Sequence, residues 1–491
     1  MTTCESFSKW RGRLWPIHNY ELKKILPLWF IKFFISFNYA ILFAAKDTLI
    51  VTTAGAEAIP ILKGWVVLFA AFGAILIYSK LSNHLSQTKL FYTTLLPFLI
   101  FFPIYAFFLY PNREMLSFHE SADFLLSIVG KEHAHWVSLY RYWMHSLFFV
   151  MAELWGAMVI QVLFWGFANQ INKKEEAGRF YSIFSTGGNL ATMLAGQTIW
   201  YLSNAFGKNR FDLSLKCLLS VSFAITLTVL IIFYIINRYL LNDEKLYSKE
   251  TNAAAKKQKT KLPLLQSLKC IFKSRYLGYI ALMVIGYGLS VNMVEVAWKA
   301  LLKLKFPDPG DFQAFMGRLQ SIIGLFAMLM AFFAGGNVIR KFGWLISAQF
   351  TPIILGFFSL LFFGLCLFQK NLALIAGGPL TILVLIGTLH NISCKSMKYV
   401  FFDPTKEMAY IPMDQETKVK GKAAVDVVAA RFGKSGSSWI QTGMIEFIGS
   451  GSILGVVNLL LPCVTIAVVS WMIAIFSLHK KMVEAELEQN G

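Results

Sequence analysis

The sequence predicts an all-α membrane protein with twelve transmembrane helices in two six-helix halves. Three observations carry the prediction. Of 491 residues, 56% are hydrophobic and only 15% charged, with a mean hydropathy of +0.56; a soluble chain carries about 25% charged residues. Apolar runs long enough to cross a bilayer, about 20 residues each, recur along the whole chain. The longest charged connection, Asn242–Arg275, leaves six such runs on either side.

The runs fall at 28–51, 62–79, 90–110, 140–168, 180–203, 216–241, 277–299, 313–336, 343–368, 371–400, 423–448 and 453–478, the fifth and eleventh being the least apolar. They divide the chain into an N-terminal half (1–241), a linker (242–276) and a C-terminal half (277–491). Alternate connections are basic. One set holds Lys9, Arg11, Arg13, Lys23 and Lys24, then Lys80 and Lys89, Lys173, Lys174 and Arg179. It continues with the 245–275 segment, Arg340 and Lys341, the 395–422 segment, and Lys480 and Lys481. The other set is poorer in Lys and Arg, and 111–138 carries several acids. Because cytoplasmic loops collect Lys and Arg, both termini are expected inside. The first 24 residues lack a short apolar stretch with a cleavage site. Insertion through the first helix suits a bacterial inner (cell) membrane.

The net charge of +19 has two outlets, the cytoplasmic loops and a site for a polyanion. The basic linker reads as a solvated connection, with no nucleic-acid partner. Six cysteines lie scattered, without metal-ligand spacing. No HExxH, nucleophile elbow or acidic metal pair is found, so neither a metal nor a cofactor is expected and the chain does not read as an enzyme. Gly433-Lys434-Ser435 is not a phosphate-binding P-loop, since Val428 stands where that motif requires glycine. The Gly433–Gly436 run reads either as a helix start facing an anion or as a small-residue packing segment.

Ionisable residues inside the spans are the strongest functional signal. In the apolar run Trp143–Phe167, Glu153 lies on the order of 15 Å from either end. A charge there costs roughly 2.5–3.5 kcal/mol on insertion scales, which calls for a partner or a wet cavity. Tyr142, Ser146, Glu153 and Gly156 share one helical face. The first span carries Lys46. The seventh carries Glu295 and Lys299 four residues apart, in the favourable order for a pair, with Asn292 on the same face. The tenth ends with Lys395 and Lys398, and Lys434 opens the eleventh. Lys32 and Lys63, near span ends, read as snorkelling. Lysines in excess of acids at cavity positions argue for an anionic substrate, and three or four suit a phosphate chain.

The halves share short patterns. Ser36-Phe37-Asn38 precedes Lys46, and Ser290-Val291-Asn292 precedes Glu295 and Lys299. Gly178-Arg179-Phe180 with Gly187-Gly188-Asn189 parallels Ala430-Arg431-Phe432-Gly433 with Ser435-Gly436-Ser437. Six plus six helices, with the first and fourth of each half lining a cavity, resemble the major-facilitator-like architecture.

At these residues the chain resembles the nucleotide transporters (ATP/ADP translocases) of plastids and obligate intracellular bacteria. The matching stretches are Lys46-Asp47 with the following VTTAG, AELWGAMVIQVLFWGFANQI with the loop to Arg179-Phe180-Tyr181, NMVEVAWK at 292–299, and FDPTKEMAYIPMD with KVKGKAAVDVVAARFGKSG. The resemblance implies transport of nucleotides without hydrolysis, with exchange of ATP for ADP by alternating access as the expected activity. The alternative is proton-coupled uptake of nucleoside triphosphates (GTP, UTP, ATP), or NAD transport. Charged residues important in the family match Lys46, Glu153, Glu295 and Lys434. One departure stands out: exchangers often have Arg where this chain has Phe43. The expected substrate-binding set is Lys46, Glu153, Asn292, Glu295, Lys299 and Lys434, with Asn38, Tyr142, Asn189 and Lys398 as secondary positions. The expected partners are the nucleotide, the lipid bilayer and, in the alternative mode, protons, with the chain acting as a monomer.

Overall fold

The computed structural model describes residues 17–172, 174–206, 210–240, 274–333, 335–368, 378–413, 421–422 and 425–490. Among them, helix is the only regular secondary structure. Among the described residues, ten helices are long and apolar enough to cross a bilayer: α1 (Asn19–Thr53), α2 (Ala58–His84), α3 (Gln87–Leu109), α4 (Trp143–Ile171), α6 (Phe211–Tyr239), α7 (Arg275–Lys305), α8 (Pro309–Ala331), α9 (Val338–Leu367), α10 (Pro379–Met408) and α12 (Ile453–Glu484). The chain is a multi-pass membrane protein. The fifth and eleventh expected spans correspond to α5 (Lys174–Ala205) and α11 (Ala430–Ile448). Both are helical but more polar than the rest, and the set fits the twelve expected. Most of the 242–276 linker lies outside the described residues, as do 371–377 and 423–424 of the tenth and eleventh expected spans.

Small residues explain why α5 and α11 can be polar. Gly187 and Gly188 bring α5 against Trp29 and Ser36 of α1. In the second half, Gly433 brings α11 against Ile285 and Gly288 of α7. The two halves thus repeat one packing relation, fifth helix on first, at the segments whose sequences echo each other. The seam between α5 and α8 is closer still. A Cβ on Gly196 would stand 2.4 Å from the Ser321 nitrogen, and one on Gly324 2.5 Å from the Met193 nitrogen. Backbone atoms cannot swing aside as a side chain can, so Gly196→Val should force the helices apart. Overpacking of this kind costs about 1–3 kcal/mol or more. A clear drop in the thermal midpoint of the detergent-solubilised protein is expected, with Gly73→Val, which meets no neighbour within 4 Å, as the control.

The halves are bonded to each other at the end of the bundle that carries the 54–57, 130–142 and 449–452 connections. Glu57 accepts from Ser452 Oγ at 3.0 Å and from the Ile453 N–H at 3.2 Å. Glu446 meets His133 Nδ1 at 2.8 Å, His135 Nε2 at 3.0 Å and the Trp136 indole N–H at 2.6 Å. Burial pushes the His135 imidazole below its ordinary pKa, against the opposing pull of Glu446. Gln313 accepts from Ser203 and Ser214 at 3.3 and 3.2 Å. This is the closed end.

Candidate functional site

In the half of α1, α4 and α7 nearer the closed end the intramembrane charges converge on the seam between the halves. Residues 38, 40–42 and 44–51 of α1 are all buried, so an ionic group there must find its partner inside the protein. Lys46 and Asp47 are both fully buried, with Lys46 Nζ 2.8 Å from Asp47 Oδ1 and 3.1 Å from Glu153 Oε1 on α4. The other oxygen, Asp47 Oδ2, lies 2.8 Å from Lys299 Nζ on α7, across the seam. Lys299 in turn lies 2.7 Å from Glu295 Oε1. Glu295 Oε2 is 3.5 Å from Lys63 Nζ on α2, and Lys63 also donates to Asn292 Oδ1 at 3.3 Å. The result is one unbroken chain, Glu153–Lys46–Asp47–Lys299–Glu295–Lys63. Three lysines meet three carboxylates, and the chain crosses between the halves at Asp47–Lys299 and at Glu295–Lys63.

Local backbone irregularity helps to aim these groups. The π-helical segment Trp155–Phe164 begins two residues after Glu153, Leu62–Val66 contains Lys63, and Lys398–Phe402 starts at Lys398. A π turn inserts an extra residue and rotates the helix beyond it, and such turns often mark functional sites. Phe43 lies at the centre of the cations. Its ring centroid is 4.3 Å from Lys395 Nζ, 4.5 Å from Lys46 Nζ and 5.4 Å from Lys299 Nζ. Ammonium groups over an aromatic face gain electrostatic stabilisation that grows when water is excluded.

Two lysines stand beside the neutral chain without a carboxylate within 4.0 Å among the described residues: Lys395 and Lys434. Lys434 is exposed, yet Glu153, Lys398, Lys63 and Glu295 lie close enough to act on it electrostatically. The cationic excess expected from the sequence is therefore real, but it resides in α10 and α11. Lys46 and Lys299 are matched by acids.

Of the expected binding residues, Lys46, Glu153, Asn292, Glu295 and Lys299 come together, with Lys434 and Lys398 alongside. Three secondary positions do not join them. Asn38 donates to Thr226 Oγ1 at 3.2 Å, between α1 and α6. Tyr142 stacks on His145 near the closed end. Asn189 lies on the α5–α8 seam, where its carbonyl faces Gly324. The shared polar face expected on α4 is likewise divided: Ser146 donates to the Leu139 carbonyl at 3.2 Å, and Gly156 accommodates the Tyr39 ring. Gly433–Gly436 does not open a helix, because helix runs on from the preceding Val425–Ala429 segment. Gly433 is instead a packing residue against α7. Neither Lys32 nor Lys63 snorkels: Lys32 is buried with Nζ 5.3 Å from the Phe164 ring, and Lys63 joins the ion chain. Asp47, Lys63, Lys395 and Phe43 are the site residues that the sequence-based set omits.

This bundle has the fold of major-facilitator-like transporters. A solved D-xylose–proton symporter superposes on 91% of the chain and 97% of its own length, with a TM-score of 0.54 at 14% identity. The protein belongs to the family described as TLC ATP/ADP transporter, whose model matches residues 1–482. It is 42% identical to ADP,ATP carrier protein 1 of Chlamydia trachomatis, over 99% of this chain and 93% of that one. With the chloroplastic ADP,ATP carrier protein 1 of Arabidopsis thaliana it shares 43% identity over 87% of this chain and 69% of the relative. The family is one of transporters, not of enzymes.

Proposed function

We propose that this protein exchanges ATP for ADP across a bacterial inner membrane, by alternating access at the seam between residues 1–241 and 277–491. The observation that carries the reading is the neutral ion chain crossing that seam beside two further lysines, in a chain of the ATP/ADP transporter family. Nucleotide phosphates offer what the carboxylates offer, anionic oxygens able to take several ammonium hydrogen bonds. A phosphate chain arriving at Lys434 and Lys395 competes with Glu153, Asp47 and Glu295 for Lys46 and Lys299. Glu153 and Glu295 are thereby holders of the lysines in the empty carrier, and Asn292 positions Lys63.

Empty-carrier reorientation would be slow if bare lysines had to cross the closed state. The geometry supports a different cause: the lysines are paired, and two of the pairs join the halves. The collection of Lys and Arg in cytoplasmic loops supports a closed end that faces outside and termini that lie in the cytoplasm. Access to Lys434 is then from the cytoplasm, with the protein working as a monomer. Proton-coupled uptake of nucleoside triphosphates, or NAD transport, is the second reading, favoured by Phe43 in place of an arginine.

Intact bacteria expressing the protein, given a panel of labelled nucleotides, separate the two. Exchange predicts uptake of ATP and ADP that survives a protonophore, and release of the label on a chase with unlabelled ADP. Uptake that collapses with the protonophore and is indifferent to the chase sinks exchange.

A further inference from the structure

We infer that Asp47 is a positioning residue that ties the two halves together in the empty carrier and thereby enforces counter-exchange. The inference rests on the exchange reading above and specifies which group makes exchange obligatory.

Two carboxylates of the ion chain, Asp47 and Glu295, divide their oxygens between the halves, and Asp47 makes the shorter, fully buried crossing. Oδ1 lies 2.8 Å from Lys46 on its own helix and Oδ2 2.8 Å from Lys299 on α7. Both lysines and the aspartate are fully buried, so water does not weaken the bridge as it weakens a surface pair. The neighbouring acids make their short contacts within one half. Glu153 meets Lys46 within the first half, and Glu295 meets Lys299 within its own helix. Glu295 does reach Lys63 across the seam, at 3.5 Å and with both side chains partly exposed, which makes it the weaker tie. Parting the halves at the closed end separates Asp47 from Lys299 and leaves each one ion-pair contact short, Asp47 keeping Lys46 and Lys299 keeping Glu295. Without a substitute anion that step is disfavoured. A nucleotide phosphate at Lys46 and Lys299 supplies the anion, frees Asp47 from its bridging role and permits the seam to open.

The bridge exists with the closed end shut, so it restrains a defined step: return of the empty carrier after it has released its cargo. Net uptake into a compartment without nucleotide requires that step, whereas exchange bypasses it. Asp47→Asn should therefore speed net uptake more than exchange. Asp47→Glu, which keeps the charge, should not.

The test uses the full-length protein reconstituted in vesicles that are empty or loaded with ADP, with labelled ADP outside. For the wild type, uptake into loaded vesicles exceeds uptake into empty ones. In Asp47→Asn that ratio is expected to fall roughly tenfold, through faster uptake into empty vesicles, while Asp47→Glu stays within about twofold of wild type. A wild-type ratio in an active Asp47→Asn protein overturns the inference. A second measurement keeps it testable if the variant transports nothing. Spin labels at Lys131 and Ser450 report the distance across the closed end in nucleotide-free protein. Asp47→Asn should enlarge the long-distance population several-fold, and an unchanged distribution overturns the tie. Should the wild type show no stimulation by internal ADP, the exchange reading fails, and the label distances still decide the role of Asp47.

Discussion

Lys46→Glu is expected to reach the membrane in normal amount and to transport no nucleotide at a measurable rate. The new carboxylate would stand against Asp47 and Glu153, both now within about 3 Å of the lysine nitrogen. It would also replace an ammonium lying over the Phe43 and Phe149 rings, whose negative faces repel an anion. Breaking a buried ion pair costs about 3–5 kcal/mol, equivalent to roughly two to four orders of magnitude in rate. Initial uptake rates normalised to the membrane-inserted amount measure the effect. A wild-type rate would remove Lys46 from the site.

Glu295→Lys is the second large effect. Three ammonium groups, Lys299, Lys63 and Lys395, already act on this carboxylate, and a fourth cation among them would have Asp47 as the nearest remaining anion. Loss of uptake to background is expected. Glu295→Gln keeps the shape and removes one charge; Lys299 keeps its 2.8 Å partner Asp47, so a milder loss of about tenfold is expected. Equal losses in the two variants would show that shape, not charge, matters at this position. Both experiments ask the same question from opposite halves: whether the charges of the seam are working parts or buried remnants.

The spans are legible in the sequence because bilayer thickness imposes a length and an apolar composition that no loop satisfies. The weakest two signals, α5 and α11, are weak for a reason visible in their packing. Gly187, Gly188 and Gly196 of α5 and Gly433 of α11 face other helices, where close approach replaces apolar area. Lys46, Glu153, Glu295 and Lys299 stand out for the complementary reason, as charges in a medium that penalises them. Asp47 does not, because residues i and i+1 on a helix point about 100° apart. Adjacency to Lys46 gives no hint that its second oxygen serves a lysine some 250 residues away. Lys63 escapes a sequence reading because position near a span end suggests snorkelling, whereas the π segment Leu62–Val66 carries it toward α7. Asn38 and Tyr142 flank the right helices and Asn189 sits on a packed one, but periodicity alone does not say which face meets the seam. The glycine run before Ser437 has the composition of an anion-binding helix start and of a packing surface alike. Only the helical backbone before Ala430 decides between them.

The most direct test of the account is the structure of the protein with ADP bound. The phosphates are expected between Lys46, Lys299 and the α10–α11 lysines Lys395 and Lys434, with Asp47 drawn away from Lys299. A nucleotide bound elsewhere, with the Glu153–Lys46–Asp47–Lys299–Glu295 chain intact, would contradict it.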